Sequence, residues 1–498
     1  MRICVINTGG TIACAGTPLA PMPSARFAQA ARDLLGPSLA ASLPGISLDF
    51  DTGLRFSDQG PGTLDSTDLR PRDWCRMAAH VLDLYDQYDG FVILHGTDTM
   101  DYTAAALSFL LNVADGRGRA RARLSKPVIV TGSQLPLFVQ TTDGLALNAA
   151  SDALGNLAGA LAMTRLRLPE VALFFDGKLL RGNRALKSST TYFAAFDSPH
   201  LPPLAHAGIG AWQGDAQPLT GPATPAQALD NPAAMALVRA QLDAVADRID
   251  AQNVAQIPAV PAAGPLMGQL IGVALSTGAT GLILQGFGEG NIPNSPATRD
   301  ALQAARDADA VTVITSRVTG GRVGAFHYAA GAWIADTGAI GCGDMTPVAA
   351  LAKLTVLTAA ADHHGWDRTT LRALMQRSLA GECAAPDVSA GPLWPGQSLR
   401  AVDGPVTLTN DPDRGPLLCD GDDTLWQAGA AGRLQMLDDR LVVIAPDGTQ
   451  SWIGPQAHPQ AQIAVAANPA RLLLIDPTGQ TPDITAAPFR ADRRRTGC

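Results

Sequence analysis

At 498 residues the chain exceeds one ordinary hydrophobic core, so roughly two to four domains are expected. Apolar residues at 46% and charged residues at only 16% exclude a disordered chain. A net charge of −8 argues against a nucleic-acid partner, whose phosphates want a basic face, and no apolar run is long enough to span a bilayer.

The chain opens on a short buried strand, "RICVIN", followed by the glycine turn "NTGGTIA". The start lacks the basic, apolar and small-residue order of a signal peptide, so a cytoplasmic location is expected. In 70–88, Trp74, Met77, Ala78, Val81, Leu82, Tyr85 and Tyr88 recur at three- and four-residue spacing, which predicts an amphipathic helix. "GFVILHG" is the next strand, "DYTAAALSFLLNVA" a helix, "PVIVTGS" a strand, 143–160 a helix and "EVALFF" a strand. Such alternation, running to about residue 206, predicts a mostly parallel sheet with both faces covered.

Residues 207–252 are rich in Pro, Gln and Ala and read as a linker with an inserted helix near 232–250. A second, smaller α/β domain is expected over 253–380, built from "LIGVAL", "TGLILQG", a helix at 296–308, "AVTVITS" and helices after Asp344 and Asp367. From 391 to 490 the pattern changes to short β-type runs separated by Gly, Pro, Asp and Asn. "RLVVIAPDGTQ" is echoed by "RLLLIDPTGQT", which predicts a repeated all-β unit. The "RADRRRTG" tail reads as solvated.

The seven cysteines are scattered and lack any C-x-x-C spacing, so they read as reduced thiols and not as a disulfide frame or zinc site. His363 and His364 are adjacent and cannot share a helical face as paired ligands would. Neither a metal nor any other cofactor is expected.

In open parallel sheets ligands bind beyond the carboxyl ends of the strands. Three polar turns fall there: "NTGGTIA", "HGTDTM" and "TGSQ". Thr11, Thr97, Asp98 and Ser133 are therefore expected to be neighbours. Taken alone, Thr97, Asp98 and Thr99 read more simply as a helix cap. A threonine hydroxyl is a poor nucleophile until a neighbour takes its proton, and a Thr–Asp–Lys relay would supply one. Lysine occurs only at 126, 178, 187 and 353 among 37 basic residues, so a retained lysine hints at an amine that guanidinium cannot replace.

Over residues 1–380 the sequence resembles the bacterial-type L-asparaginases, in particular the cytoplasmic type I branch. "TGGTI", "DGFVILHGTDTM", "KPVIVTGSQ", "RGNR…K" and "GCGDM" carry the resemblance in order. It implies a two-domain α/β fold, a larger mixed, mostly parallel sheet plus a smaller parallel α/β domain. It also implies hydrolysis of L-asparagine, with L-glutamine the related amide, by a homodimer or homotetramer. Thr11 would be the nucleophile; Thr97, Asp98 and Lys187 the second catalytic set. Asp65, Ser66 and Thr67 of "LDSTDL", with Gly96, would hold the substrate, and Asn291 would reach a neighbouring subunit's site. The sequence departs from the pattern in two places. "ACAGTPLAPMPSARF" has Leu19 or a neighbour where the family's loop carries a tyrosine, and Arg317 stands near the position of a thiol tied to allosteric asparagine binding. The same catalytic domain occurs in lysophospholipase-like and tRNA-amidotransferase proteins, and a low-activity scaffold is the non-enzyme alternative.

Residues 391–490 resemble the three-sheet β-prism of bulb-type, mannose-binding lectins, with Trp426 and Trp452 expected in its centre. The best match to the sugar-binding strand, "LQMLDDRLVVIA", keeps Asp439 and a valine but ends in Ile444 where tyrosine is expected. The resemblance therefore implies a lectin-like fold without appreciable mannose binding.

Overall fold

The computed structural model describes residues 1–475, 484 and 485, except 58, 59, 117, 119, 217, 220, 223, 263, 324–328, 385–388, 390, 391, 401–405, 421, 422, 460, 468 and 469. The chain divides into two compact units, Met1–Cys383 and Ala384–Cys498.

The first unit is built on an eight-stranded sheet. Its strands are β1 (Arg2–Asn7), β2 (Ser47–Asp51), β3 (Gly90–Leu94), β4 (Val128–Thr131), β5 (Val171–Phe175), β6 (Lys178–Arg181), β7 (Ala205–Gly208) and β8 (Gly210–Gln213), in the order β8-β7-β6-β5-β4-β3-β1-β2. Strands β2, β1, β3, β4 and β5 are parallel; the remaining pairings are antiparallel. Every residue of β3, β4 and β5 is buried, as strands covered on both faces must be. β2 and β8 are the two edge strands; at the β7–β8 hairpin tip Ile209 is fully exposed, and Trp212 of β8 largely so.

Helix α1 (Ser24–Ser42) covers one face through Phe27, Ala31, Leu35 and Leu39. On the other face lie α2 (Pro71–Asp83), α3 (Met100–Leu110) and, further along the chain, α5 (Pro232–Ala246). α2 starts with proline at its first turn and buries Trp74, Met77, Ala78, Val81 and Leu82 on one stripe.

The sequence predicts a helix over 143–160, whereas Gly144–Leu147 pairs with Phe138–Thr141 as a hairpin and α4 begins only at Ala153, ending at Met163. The Asp143-Gly144 turn signal was present, and Gly144 takes φ +126°; the apolar count of the following residues masked it. Residues 205–213 also form edge strands, and α5 shares the large core through Val238, Leu242 and Val245. This segment is part of the first unit's packing and not a free tether.

The smaller sheet is wholly parallel, in the order β9 (Val254–Pro258), β10 (Gly281–Gly286), β11 (Val311–Ser316) and β12 (Ile340–Gly341). "LIGVAL" lies inside α6 (Leu266–Ser276), which buries only Met267, Gly268 and Ile271; short apolar runs do not separate helix from strand. β9 supplies the strand expected there. α7 (Pro296–Asp307) and α8 (Ala329–Asp336) come next, then α9 (Pro347–His364) and α10 (Arg368–Met375). α9 ends at Gly365, which adopts the left-handed conformation that closes a helix.

Lys353, midway along α9, is fully buried and pairs with the fully buried Glu382 at 2.6 Å. The lysine also donates to the carbonyls of Met375 and Arg377, and the carboxylate accepts the N–H groups of Leu379 and Ala380. The pair thus has its hydrogen-bonding capacity matched, which burial of charge demands.

The second unit is all-β and antiparallel. β13 (Ser398–Arg400), β14 (Val406–Asp411), β15 (Gly415–Asp420) and β16 (Asp423–Gln427) form one sheet; β17 (Arg433–Leu437), β18 (Arg440–Ile444) and β19 (Gln450–Gln456) a second; β20 (Gln462–Ala467) and β21 (Ala470–Ile475) a third. All three contribute to one core, through Leu408, Leu418, Leu434, Val443, Ile463 and Leu472. Trp426 is buried there; the Trp452 side chain, the end of the "RLLLIDPTGQT" echo and the "RADRRRTG" tail lie outside the described residues. "LQMLDDRLVVIA" is not one strand: a turn at Asp438 (φ +51°) and Asp439 divides it between β17 and β18. Asp439 accepts from Gln456 at 2.7 Å instead of lining a strand face.

Candidate active site

The three polar turns converge because glycines let their backbones touch. Gly9 pairs with Leu64, and Gly10 N donates to Leu64 O at 3.0 Å, which joins the first turn to the segment before Asp65. Gly10 has φ +71°, and a Cβ there would lie 2.2 Å from Gly96. A Cβ on Gly96 would in turn lie 2.5 Å from Ser66 Oγ. Neither position accepts a side chain. Thr11 and Thr97 are each the next residue after a glycine in this contact.

Lys187 Nζ donates to Thr97 Oγ1 at 2.8 Å and to Asp98 Oδ1 at 2.6 Å. Thr97 and the lysine side chain are largely buried, whereas the Asp98 carboxylate is about half exposed. The capping alternative fails: Thr99 occupies the cap position of α3, but no side chain caps it, and its hydroxyl donates to Ser66 O at 2.7 Å. The first turn of α3 begins directly after this cluster, and helix N-termini favour negative charge nearby.

Ser66 is buried, and Asp65 caps the short turn Ser66–Asp68, accepting from the N and Oγ1 of Thr67 at 3.0 Å each. Asp65 and Thr67 are exposed. Thr11 is partly exposed, and its hydroxyl has no hydrogen-bond partner among the described residues. Behind it Cys14 donates to Gly10 O at 3.2 Å; burial, reinforced by the charge of Asp65, pushes its pKa up to about 11.

Sequence reasoning missed three contributors. Asp101, buried in the first turn of α3, accepts from Lys187 N at 3.1 Å and so fixes the lysine's backbone; burial raises its carboxyl above the usual range against that hydrogen bond. Gln134, and not the buried Ser133, carries "TGSQ" into the site: Thr97 Oγ1 donates to its Oε1 at 3.4 Å. His95 is wholly buried, and burial lowers its pKa to about 4, so the ring is neutral. Its Nδ1 donates to Gly96 O and its Nε2 accepts from Thr103, which makes it a brace for the turn. An acidic residue in a helix's first turn and a glutamine after a strand end are too common to single out.

Asn291 stands apart from this cluster. It lies in the turn after β10, where Phe287 and Asn291 exchange backbone hydrogen bonds, and it contacts none of the other predicted residues through a hydrogen bond among the described residues. Arg317 is exposed, with its guanidinium 5.8 Å from the centre of the Phe287 ring. The other retained lysines hold structure: Lys126 pairs with Asp230 over the Tyr85 ring, and Lys178 lies 3.8 Å from Asp197. No group of three His, Cys, Asp or Glu among the described residues is arranged to hold a metal, and no helix among them is long and apolar enough to cross a membrane.

Residues 2–218 match the N-terminal asparaginase domain, and residues 253–375 match the glutaminase/asparaginase C-terminal domain. L-asparaginase 1 of Escherichia coli (strain K12) is 34% identical over 386 residues, covering 77% of this chain and 98% of its own. The 60 kDa lysophospholipase of Homo sapiens is 34% identical over 325 residues, 65% of this chain and 49% of the relative. Among solved structures, L-asparaginase I from Vibrio cholerae aligns with a TM-score of 0.55 at 31% identity, over 77% of this chain and 99% of that one. The thermostable L-asparaginase from Thermococcus kodakarensis aligns at 0.59 and 28% identity, over 78% and 100%. These matches, over a two-domain α/β unit, make the protein an amidohydrolase. The chain belongs to the asparaginase family.

Proposed function

We propose that the protein hydrolyses L-asparagine to L-aspartate and ammonia, with L-glutamine the competing amide and no cofactor. The observation that carries this reading is the Lys187 amine bonded to both Thr97 and Asp98, beside the glycine contact that Thr11 follows. Thr11 Oγ attacks the side-chain carbonyl carbon as its proton passes to the amide nitrogen, and backbone N–H groups near Thr97 stabilise the tetrahedral oxygen. Collapse of that intermediate breaks the C–N bond, expelling ammonia and leaving the acyl-enzyme. Water activated through Thr97, Lys187 and Asp98 then releases aspartate. Asp65, Ser66, Thr67 and Gly96 hold the substrate's α-amino and α-carboxylate groups. The test is ammonia release from asparagine and glutamine measured side by side. One methylene in such a pocket is worth about 1–3 kcal/mol, so the two rates decide the preference. Thr97→Val and Lys187→Met should each lower kcat about 10²- to 10⁴-fold. Either variant remaining within threefold of wild type would remove the relay from the mechanism.

Assembly as a cytoplasmic homodimer or homotetramer is part of the same reading, with Asn291 serving a neighbouring subunit's site. For the second unit we infer a lectin-like β-prism, supported by its three antiparallel sheets around one core. The turn through "LQMLDDRLVVIA" and the missing sugar partners argue against mannose binding, so the unit serves assembly, stability or shielding. A chain ending at residue 383 is expected to keep its asparaginase kcat within about threefold, since the site residues and the compact packing around them belong to the first unit. A folded truncation without activity would assign the second unit a part in catalysis.

A further inference from the structure

Lys187 sits at the root of a short hairpin, in which Leu186–Lys187 pairs with Phe196–Asp197 and Lys187 lies opposite Phe196. That root is firm. Phe196 is buried with its ring 5.0 Å from that of Phe175, Ala195 is fully buried, and Asp101 holds the Lys187 N–H. The connecting residues, "SSTTYFAA", fold back on themselves: Ser189 Oγ accepts from Thr191 N at 3.1 Å and from Tyr192 N at 3.0 Å.

The tip is tied to the site by one side-chain amide. Gln134 Nε2 donates to Tyr192 O at 3.3 Å, while Gln134 Oε1 accepts from Thr97 Oγ1 at 3.4 Å. At this tethered tip Tyr192 is 73% exposed and Phe193 43%. An exposed tyrosine leaves most of a large apolar ring in water, and here its hydroxyl has no hydrogen-bond partner among the described residues. Neither does the Thr11 hydroxyl. The segment after Thr11, "IACAGTPLAPMPSARF", holds no tyrosine, histidine, lysine or carboxylate. Its one thiol is buried behind Thr11 and kept protonated. Of the other described tyrosines, Tyr85 and Tyr88 are engaged with Ser125 and Asp49, and Tyr102 is half-buried along α3.

We propose that Tyr192 is the residue that closes this site over its substrate. The ring turns from solvent onto the bound amide, covers it from water, and brings its hydroxyl into hydrogen-bonding reach of Thr11. Gln134 is the positioning residue, since it couples the backbone of the tip to the hydroxyl of Thr97. The inference rests on the amidohydrolase reading above and assigns that site its cover. Ring and hydroxyl separate in a substitution series. The ring provides contact area in every bound state and acts on KM; the hydroxyl acts on the reacting group and appears in kcat.

The full-length protein and its Tyr192→Phe, Tyr192→Ala and Gln134→Met variants are compared for ammonia release from asparagine, with thermal midpoints as a check on folding. Tyr192→Ala should lower kcat/KM at least 30-fold and raise KM, with an unchanged midpoint because the side chain is exposed. Tyr192→Phe should restore KM while leaving kcat at least tenfold low, and Gln134→Met should lower kcat/KM by a similar factor. Tyr192→Ala within twofold of an active wild type would overturn the proposal and leave the asparaginase reading intact. Tyr192→Phe equal to wild type in both constants would overturn the role of the hydroxyl. A wild type that releases no ammonia from either amide would sink the catalytic reading, and the cover with it.

Discussion

Replacing Thr11 with alanine is expected to lower kcat about 10⁴-fold or more and to abolish the pre-steady-state burst of ammonia. In the proposed mechanism no acyl-enzyme forms without Oγ, and the remaining groups retain only binding and electrostatic assistance. KM should move by no more than a few-fold, because the groups proposed to hold the substrate's charged end, Asp65 to Thr67 and Gly96, are untouched. The fold should survive as well. Thr11 is partly exposed and its hydroxyl has no partner among the described residues, so alanine leaves no buried polar group unpaired. Rapid-quench kinetics on wild type and variant make the comparison. A variant that keeps more than a tenth of wild-type kcat would transfer the attack to another group, with Thr97 the next to test. The contrast with Thr97→Val is informative. Loss of the nucleophile removes the burst itself, whereas loss of the relay should preserve a burst and slow the hydrolysis of the acyl-enzyme.

Lys353→Met is expected to destabilise the first unit by about 3–5 kcal/mol, because it strands a carboxylate in the interior. The double variant Lys353→Met, Glu382→Leu should regain stability despite losing every polar contact of the pair, although the N–H groups of Leu379 and Ala380 then lose their acceptor. Burial opposes the Glu382 carboxylate, but the Lys353 charge and those two N–H groups outweigh it and hold its pKa below the usual carboxylate range. Its contribution is therefore present above the ordinary glutamate pKa and is lost as the pH falls through the lowered, folded value. In Lys353→Met the carboxyl loses that support and takes up a proton more readily. The gap between variant and wild type should narrow in acid. Denaturant midpoints at neutral and acidic pH measure both effects, and a single variant as stable as wild type at neutral pH would show that the interior charge is not held as described.

The parallel sheet was legible because its strands are covered on both faces and read as unbroken apolar runs. The site was legible because glycine-flanked threonines stand at strand ends that a parallel sheet must align. Local pattern failed where two signals competed. At 143–147 an Asp-Gly turn lost to apolar spacing, and in "LIGVAL" a short apolar run concealed a helix with one buried stripe. The cap reading of Thr97–Thr99 was sound as local chemistry and lost to tertiary contacts, since Lys187 arrives from about ninety residues away in sequence. Gln134 and Asp101 were missed for the same reason. Their roles depend on partners that only folding brings near, and neither residue type is unusual where it stands.

On one side the eight-stranded sheet ends on β8, which has no second neighbour among the described residues, follows the bare Ile209 and carries the exposed Trp212. Such a border invites another chain to continue the ladder, the first step toward precipitation in concentrated solutions. Two features blunt the invitation here. The strand is only four residues long, and glycine stands at its start, at the end of β7 and just past its own end, at Gly214. A visiting strand would find few backbone groups in register before the path turns away. Lengthening β8 or replacing those glycines with β-branched residues would convert a quiet border into a nucleus for insoluble protein.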